Sequence, residues 1–170
     1  MSLRHALLGM LIVQPATGYD LARKFDVSLA TAWHASHSQI YPELGRLQDE
    51  GMIEVVGEGA RRSKTFGVTG AGRAELRRWM LESEPNRSQR NETAVRWFLV
   101  ALLDPEDRRA ALARELEHAE AYAEMLRTTA EQLDALDAPH PFRPTVDLGQ
   151  RTVAVMQDWL REQRDAAAET

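Results

Sequence analysis

Residues 36–69 read SHSQIYPELGRLQDEGMIEVVGEGARRSKTFGVT, and a change of period inside this stretch decides the fold. Ile40, Leu44 and Leu47 recur four and three apart, which makes one apolar stripe of a helix, and Gly51 stands where a left-handed residue would close it. After Gly51 the pattern is that of strands. Met52–Val56 is a β-forming run, Gly57–Ser63 is a turn rich in Gly and Arg, and Phe66 and Val68 alternate with polar neighbours as a half-exposed strand does. The stretch is therefore a helix followed by a β-hairpin with a basic tip. The start of the helix is open: Ser36 with Gln39 forms a capping box that leaves Pro42 a turn and a half inside, whereas a start at Ser38 or Gln39 moves Pro42 towards the tolerated first turn.

Upstream, Leu3, Leu7, Met10 and Leu11 recur at helical spacing until Gln14-Pro15-Ala16-Thr17-Gly18 breaks the pattern with turn residues. Tyr19, Leu21, Ala22 and Phe25 suggest a second short helix, with Thr17 ahead of it as a cap. Downstream, Thr69 reads as the N-cap of a fourth helix that carries Leu76, Trp79 and Met80 on one stripe. Three helices and then a two-stranded hairpin is the order of a winged helix-turn-helix. We assign it to residues 1–84 as a DNA-binding domain.

Ser83–Glu92 lacks any apolar residue and reads as a linker. Beyond it lies an all-helical domain, residues 85–170, so the chain as a whole is mainly α. Ala94–Leu103 is apolar on nearly every side, which marks a helix buried by other helices, and Asp104-Pro105 restarts the chain with an N-cap and a first-turn proline. Leu112, Leu116, Ala119, Ala123, Leu126, Ala130 and Leu133 then alternate four and three apart, an a/d heptad seam that one helix cannot bury alone. After the proline-rich Ala138–Pro144, the residues Val153, Met156, Trp159 and Leu160 mark the final helix.

Composition narrows the function classes. A chain of 170 residues with 44% hydrophobic and 28% charged residues folds without a staple, and the absence of Cys removes disulfides, thiolate nucleophiles and thiolate metal sites together. The longest early apolar run, Ala6–Val13, is interrupted by Gly9 and falls far short of the roughly 20 residues that span a bilayer, so the expected location is the cytoplasm, with no membrane contact. The net charge of −5 argues against a basic field, and it is unevenly spread: residues 1–84 hold ten Lys/Arg and ten Asp/Glu, while residues 85–170 hold eleven and sixteen. Contact with phosphates must come from a local cluster. His34 and His37, with Asp20 and Asp26 upstream, lack a third ligand at motif spacing, and Gly57-x-Gly59 lacks the strand–helix setting of a nucleotide loop. No cofactor, metal or enzymatic activity is expected.

If Ile40, Leu44 and Leu47 face the core, then Ser38, Tyr41, Pro42, Gly45 and Arg46 lie on or beside the opposite face, free to meet a major groove. Ser36 and Gln39 near the helix start suit phosphates or base edges, and Arg46 reaches either. Arg61, Arg62 and Lys64 at the hairpin tip supply the cationic cluster. A winged module that has lost DNA and kept protein contacts is the alternative, and the salt dependence of duplex binding separates the two. Trp97 and Phe98 are candidates for a ligand pocket, set against the ordinary role of such residues in a core.

Four ordered motifs carry a resemblance. Thr17-Gly18-Tyr19-Asp20-Leu21, the run Trp33–Leu44 containing Ser38-Gln39-Ile40-Tyr41-Pro42, Leu47-x-x-Glu50-Gly51-Met52-Ile53, and Phe66-x-Val68-Thr69-x-x-Gly72-Arg73 resemble the PadR family of bacterial transcriptional regulators, over residues 3 to about 82. The resemblance implies a sequence-specific homodimeric repressor of double-stranded operator DNA, often released by a small aromatic or cationic effector. It implies a DNA-contacting helix over Ser36–Arg46, His37 included, and a wing at Arg61, Arg62 and Lys64. The seam from Leu112 to Leu133, with Trp159, is then expected to join two chains and to set the distance between their reading heads, since a lone winged helix makes too few contacts.

Overall fold

The computed structural model describes residues 2–28, 37–58, 63–85 and 91–167, and the chain divides into two compact units, Met1–Asn86 and Arg87–Thr170. In the first, α1 (Ser2–Val13), β1 (Ala16–Thr17), α2 (Gly18–Ser28), α3 (His37–Asp49), β2 (Ile53–Glu58), β3 (Lys64–Val68) and α4 (Gly70–Glu82) follow in order. Leu7, Leu8, Leu11, Leu21, Ile40, Leu44, Leu47 and Ile53 are fully buried in one cluster, each contributing about 1.5–3 kcal/mol by leaving water.

The local chemistry explains where each element stops. The Thr17 hydroxyl accepts from Asp20 N at 3.1 Å while the Asp20 carboxylate accepts from Thr17 N at 3.3 Å, a reciprocal cap that starts α2. The Thr17 hydroxyl also donates to Asp20, and these bonds hold the Asp20 carboxyl below its ordinary value. At the other end of α3, Gly51 takes φ +70°, Met52 N donates to Leu47 O at 2.9 Å and Gly51 N to Gln48 O at 3.0 Å, the paired bonds of a Schellman closure. Thr69 caps α4 by accepting from Gly72 N at 3.2 Å, and its own hydroxyl donates to Gly51 O at 2.7 Å, so one side chain ties the end of α3 to the start of α4.

Two sequence expectations change here, and one open choice is decided. The sheet has three strands in the order β1-β3-β2: Ala16 and Thr17, read as part of a turn, pair with Phe66 and Thr65. Two residues are too few for a periodic signal, and β3 makes this strand by pairing with it. The helix α3 begins at His37, so Pro42 does sit inside it; Ser36, the candidate cap, lies outside the described residues. Met80 points to solvent at 66% exposure while Leu76 packs inward.

The joint between α1 and α4 is polar. The His5 ring stacks on Trp79 at 4.3 Å and 6°, and its Nε2 lies 3.1 Å from Glu75 Oε1, which also accepts from Arg78 Nη2 at 2.8 Å. Arg78 first, and then His5, hold the Glu75 carboxyl down at about 2, against an ordinary value of 4.5. A depressed carboxylate stabilises the fold above its unfolded value and ceases to do so as pH falls through the folded one. Glu75→Gln is therefore expected to lower the melting temperature at neutral pH, with the difference from the parent shrinking between pH 4.5 and 2. A difference that persists unchanged at pH 2 would show that the carboxylate is not its source.

The second unit holds α5 (Glu92–Leu99), a 3-10 turn (Val100–Leu102), α6 (Pro105–Asp134) and α7 (Arg143–Ala166). Within the chain, two apolar stretches of this unit are covered differently from the expectation. The heptad seam is filled by the chain's own α7: Leu112, Leu116, Ala119 and Leu126 are buried with Val153 and Leu160, Ala123 packs against them, Ala130 is 5% exposed and Leu133 is half-buried. Gly149 makes this fit possible, since a Cβ there would stand 3.2 Å from Leu126 Cδ1. The ion pairs Asp134–Arg143 and Glu120–Arg161 show that the two helices run antiparallel. A seam signals that a surface needs cover, and a long loop-connected helix of the same chain supplies it. Conversely, α5 has no buried residue: Phe98 is 84% and Leu102 81% exposed, with Val95 and Leu99 beside them. Among the described residues no helix is long and apolar enough to cross a membrane.

Candidate nucleic-acid interface

The helix α3 sorts its side chains into two faces. Ile40, Glu43, Leu44 and Leu47 are buried, while Ser38, Gln39, Tyr41, Pro42, Gly45 and Arg46 are exposed. These six are residues that the sequence put forward for a groove; Gln48 and Asp49, also exposed, follow at the helix end. His37 opens the helix, its side chain outside the described residues, as are Ser36, Arg61 and Arg62. Gly45 has nothing within 4 Å of where a Cβ would stand, so that turn presents bare backbone. Lys64 sits at the end of β3, paired in register with Glu58, at the base of the hairpin tip.

The position of Tyr41 depends on Gly18. A Cβ at Gly18 would come within 2.7 Å of Tyr41 Cε1 and 3.3 Å of Leu44 Cδ1, so any larger residue at the start of α2 would push the Tyr41 ring from its place. Tyr19, 60% exposed, follows directly and stands near the same face, an aromatic that the sequence reading left out of the site. Glu43 was also missed. It lies three residues after Ile40, on the edge of the apolar stripe, and that spacing was the signal that could have found it. Its carboxylate accepts from Arg46 Nη1 at 3.0 Å at one side of a cleft of about 370 Å³ between α1 and α3. Arg4, across that cleft, pairs with Glu50.

In the second unit a cleft of about 230 Å³ opens between α5, the 3-10 turn and α6, lined among others by Arg96, Trp97, Val100, Leu112 and Arg114. Trp97 meets Trp159 at 5.8 Å with rings tilted by 48°, and its buried Nε1 has no hydrogen-bond partner among the described residues. Phe98 does not line this cleft: one residue further along the helix turns it about 100° away, into solvent. Of the two pocket candidates, Trp97 lines this cleft and Phe98 does not.

A three-helix unit whose last helix bares a polar face beside a β-hairpin is a winged helix-turn-helix module. Comparison with known proteins agrees: the sequence model described as "Transcriptional regulator PadR-like family" matches residues 7–78. The negative transcriptional regulator PadR of Bacillus subtilis (strain 168) is 30% identical over 144 residues, which is 82% of this chain and 79% of that protein. The crystal structure of Bacillus subtilis PadR in complex with operator DNA superimposes with a TM-score of 0.79 at 26% identity, covering 99% of this chain and 98% of that one. The same protein in complex with p-coumaric acid gives 0.78 at 25%, covering 99% of both chains. The chain belongs to the PadR-like family of transcriptional regulators.

Proposed function

We propose that this protein is a cytoplasmic homodimeric repressor that grips duplex operator DNA with the exposed face of α3 and the wing of each copy, and lets go when a small aromatic compound binds. The observation that carries the reading is the division of α3, whose bare face holds Ser38, Gln39, Tyr41, Pro42, Gly45 and Arg46 and no aliphatic side chain other than that of Pro42. Ser36 and His37, adjoining it in the sequence, and the cations Arg61, Arg62 and Lys64 are assigned to the same contact with phosphates and base edges. The complex of Bacillus subtilis PadR with operator DNA supports the assignment.

The test is to sequence the genomic fragments that the purified protein retains. An inverted repeat with half-sites about one helical turn apart is expected from a two-fold pair of reading heads. Retention with no shared sequence would remove the specific-regulator reading.

The second copy is assigned to the bare apolar surface of α5 and the 3-10 turn, because the seam residues are already spent inside the chain, leaving Trp159 partly exposed beside Trp97. Phe98→Glu with Leu102→Glu is expected to give a folded monomer in sedimentation, with unchanged helical circular dichroism and weaker duplex binding. A double variant that stays dimeric would move the interface elsewhere. The p-coumaric acid complex of Bacillus subtilis PadR supports an aromatic acid as the class of effector, and the cleft lined by Trp97 offers it an aromatic wall with Arg96 and Arg114 among its neighbours. Such a compound acts by binding the DNA-bound and free forms of the dimer with different affinity.

A further inference from the structure

The reading helix carries a buried carboxylate. Glu43 is 8% exposed, in a helix whose sequence from Ser36 to Glu50 contains a single Lys or Arg, Arg46. The pair is asymmetric: the Arg46 side chain is 66% exposed, whereas that of Glu43 is 11% exposed. The exposed partner is tied by one nitrogen, Nη1 at 3.0 Å, and presents the rest of its guanidinium outwards.

Resting on the DNA-binding reading above, we propose that Glu43 is a specificity-determining residue: it withholds Arg46 from the phosphates of non-cognate DNA. An arginine drawn away to a phosphate would leave the nearly buried Glu43 without its ion-pair partner, which is costly. Arg46 therefore gains little by moving to an arbitrary phosphate, and it keeps a fixed outer edge for an acceptor that meets it where it stands, such as the O6 and N7 of a guanine. A lysine would not serve in the same way, because only the planar fork can be held on one edge and read with the other.

The test uses a mixed-sequence 30-bp duplex and the full-length protein, in four forms: parent, Glu43→Gln, Arg46→Ala and the double variant. Freed of its tether, Arg46 becomes an ordinary phosphate contact in each half of the dimer. Glu43→Gln is then expected to tighten mixed-sequence binding about ten- to sixtyfold at roughly 0.1 M salt and to steepen the slope of log K against log salt by about one to two, for one or both copies engaged. In the Arg46→Ala background the same substitution should give no gain. A gain that survives without Arg46 would reduce Glu43 to bulk charge and overturn the inference. So would the absence of any gain in a folded Glu43→Gln protein. Glu43→Met, which keeps the volume without a carboxyl, replaces Glu43→Gln if that variant melts below the assay temperature. Failure of the parent itself to bind duplex in a salt-dependent way would sink the DNA reading and this inference together, while parental binding without the coupled gain sinks the inference alone.

Discussion

A protein in which Arg61, Arg62 and Lys64 are all replaced by alanine is expected to bind duplex DNA about 10²–10³-fold more weakly than the parent at about 0.15 M salt. The reason lies in the charge distribution. Residues 1–84 are neutral overall, ten cations against ten anions, so no general attraction compensates for a lost local contact. Each neutralised phosphate contributes a slope of about −0.9 to log K against log salt, which at that ionic strength is roughly fivefold in affinity. Three cations in each of two copies, with three or four of the six engaged, account for the expected range. The slope should shrink by about three at the same time, measured by fluorescence anisotropy over a salt series. An unchanged slope would mean that the hairpin tip stays in solvent and that α3 supplies the phosphate contacts.

The second large effect is on stability. Gly72→Ala is expected to cost about 3 kcal/mol or more, read as a large drop in melting temperature, although alanine is ordinarily the better helix former by about 1 kcal/mol. The new methyl has nowhere to go. It would stand well inside contact distance of the Met52 carbonyl oxygen, 2.8 Å from Val68 Cγ2 and 3.1 Å from Leu8 Cδ2. That carbonyl cannot retreat, because it accepts from Thr69 N at 3.0 Å, next to the hydroxyl that caps α4 and bonds to Gly51. Relief would require parting α4 from the sheet and from α1. A melting temperature equal to or above that of the parent would show that α4 can shift without loss.

The reading head was legible in the sequence because its signals are local. The Ile40–Leu44–Leu47 stripe, the Gly51 closure and the Thr69 cap each act within a few residues of themselves, and each appears where its spacing put it. What was missed depends on contacts between distant parts of the chain. The strand Ala16–Thr17 exists through its pairing with Phe66 and Thr65, some fifty residues away. The heptad seam was visible but not its occupant: periodicity reports that Leu112, Leu116 and Leu126 need a neighbour, and nothing in it distinguishes α7 of the same chain from a second copy. The same holds for α5, where apolar residues on every side were read as burial and lie exposed. Glu43 was passed over because a carboxylate is expected on the solvent side, and its burial beside Arg46 is a property of the cleft between α1 and α3.

Placing β3 between β1 and β2 leaves the outer margin of β2 without a strand partner among the described residues, and that margin carries Val55 and Val56, 36% and 53% exposed. Bare valine-rich margins invite stacking of one molecule on another into insoluble ribbons. Two features oppose this: the register breaks between Val55 and Gly57, so the backbone there does not offer a regular ladder, and the exposed Glu54 and Glu58 flank the break with like charge. If the hairpin serves as the proposed wing it must stay unsheathed, and irregularity with acidic flanks is what guards its margin.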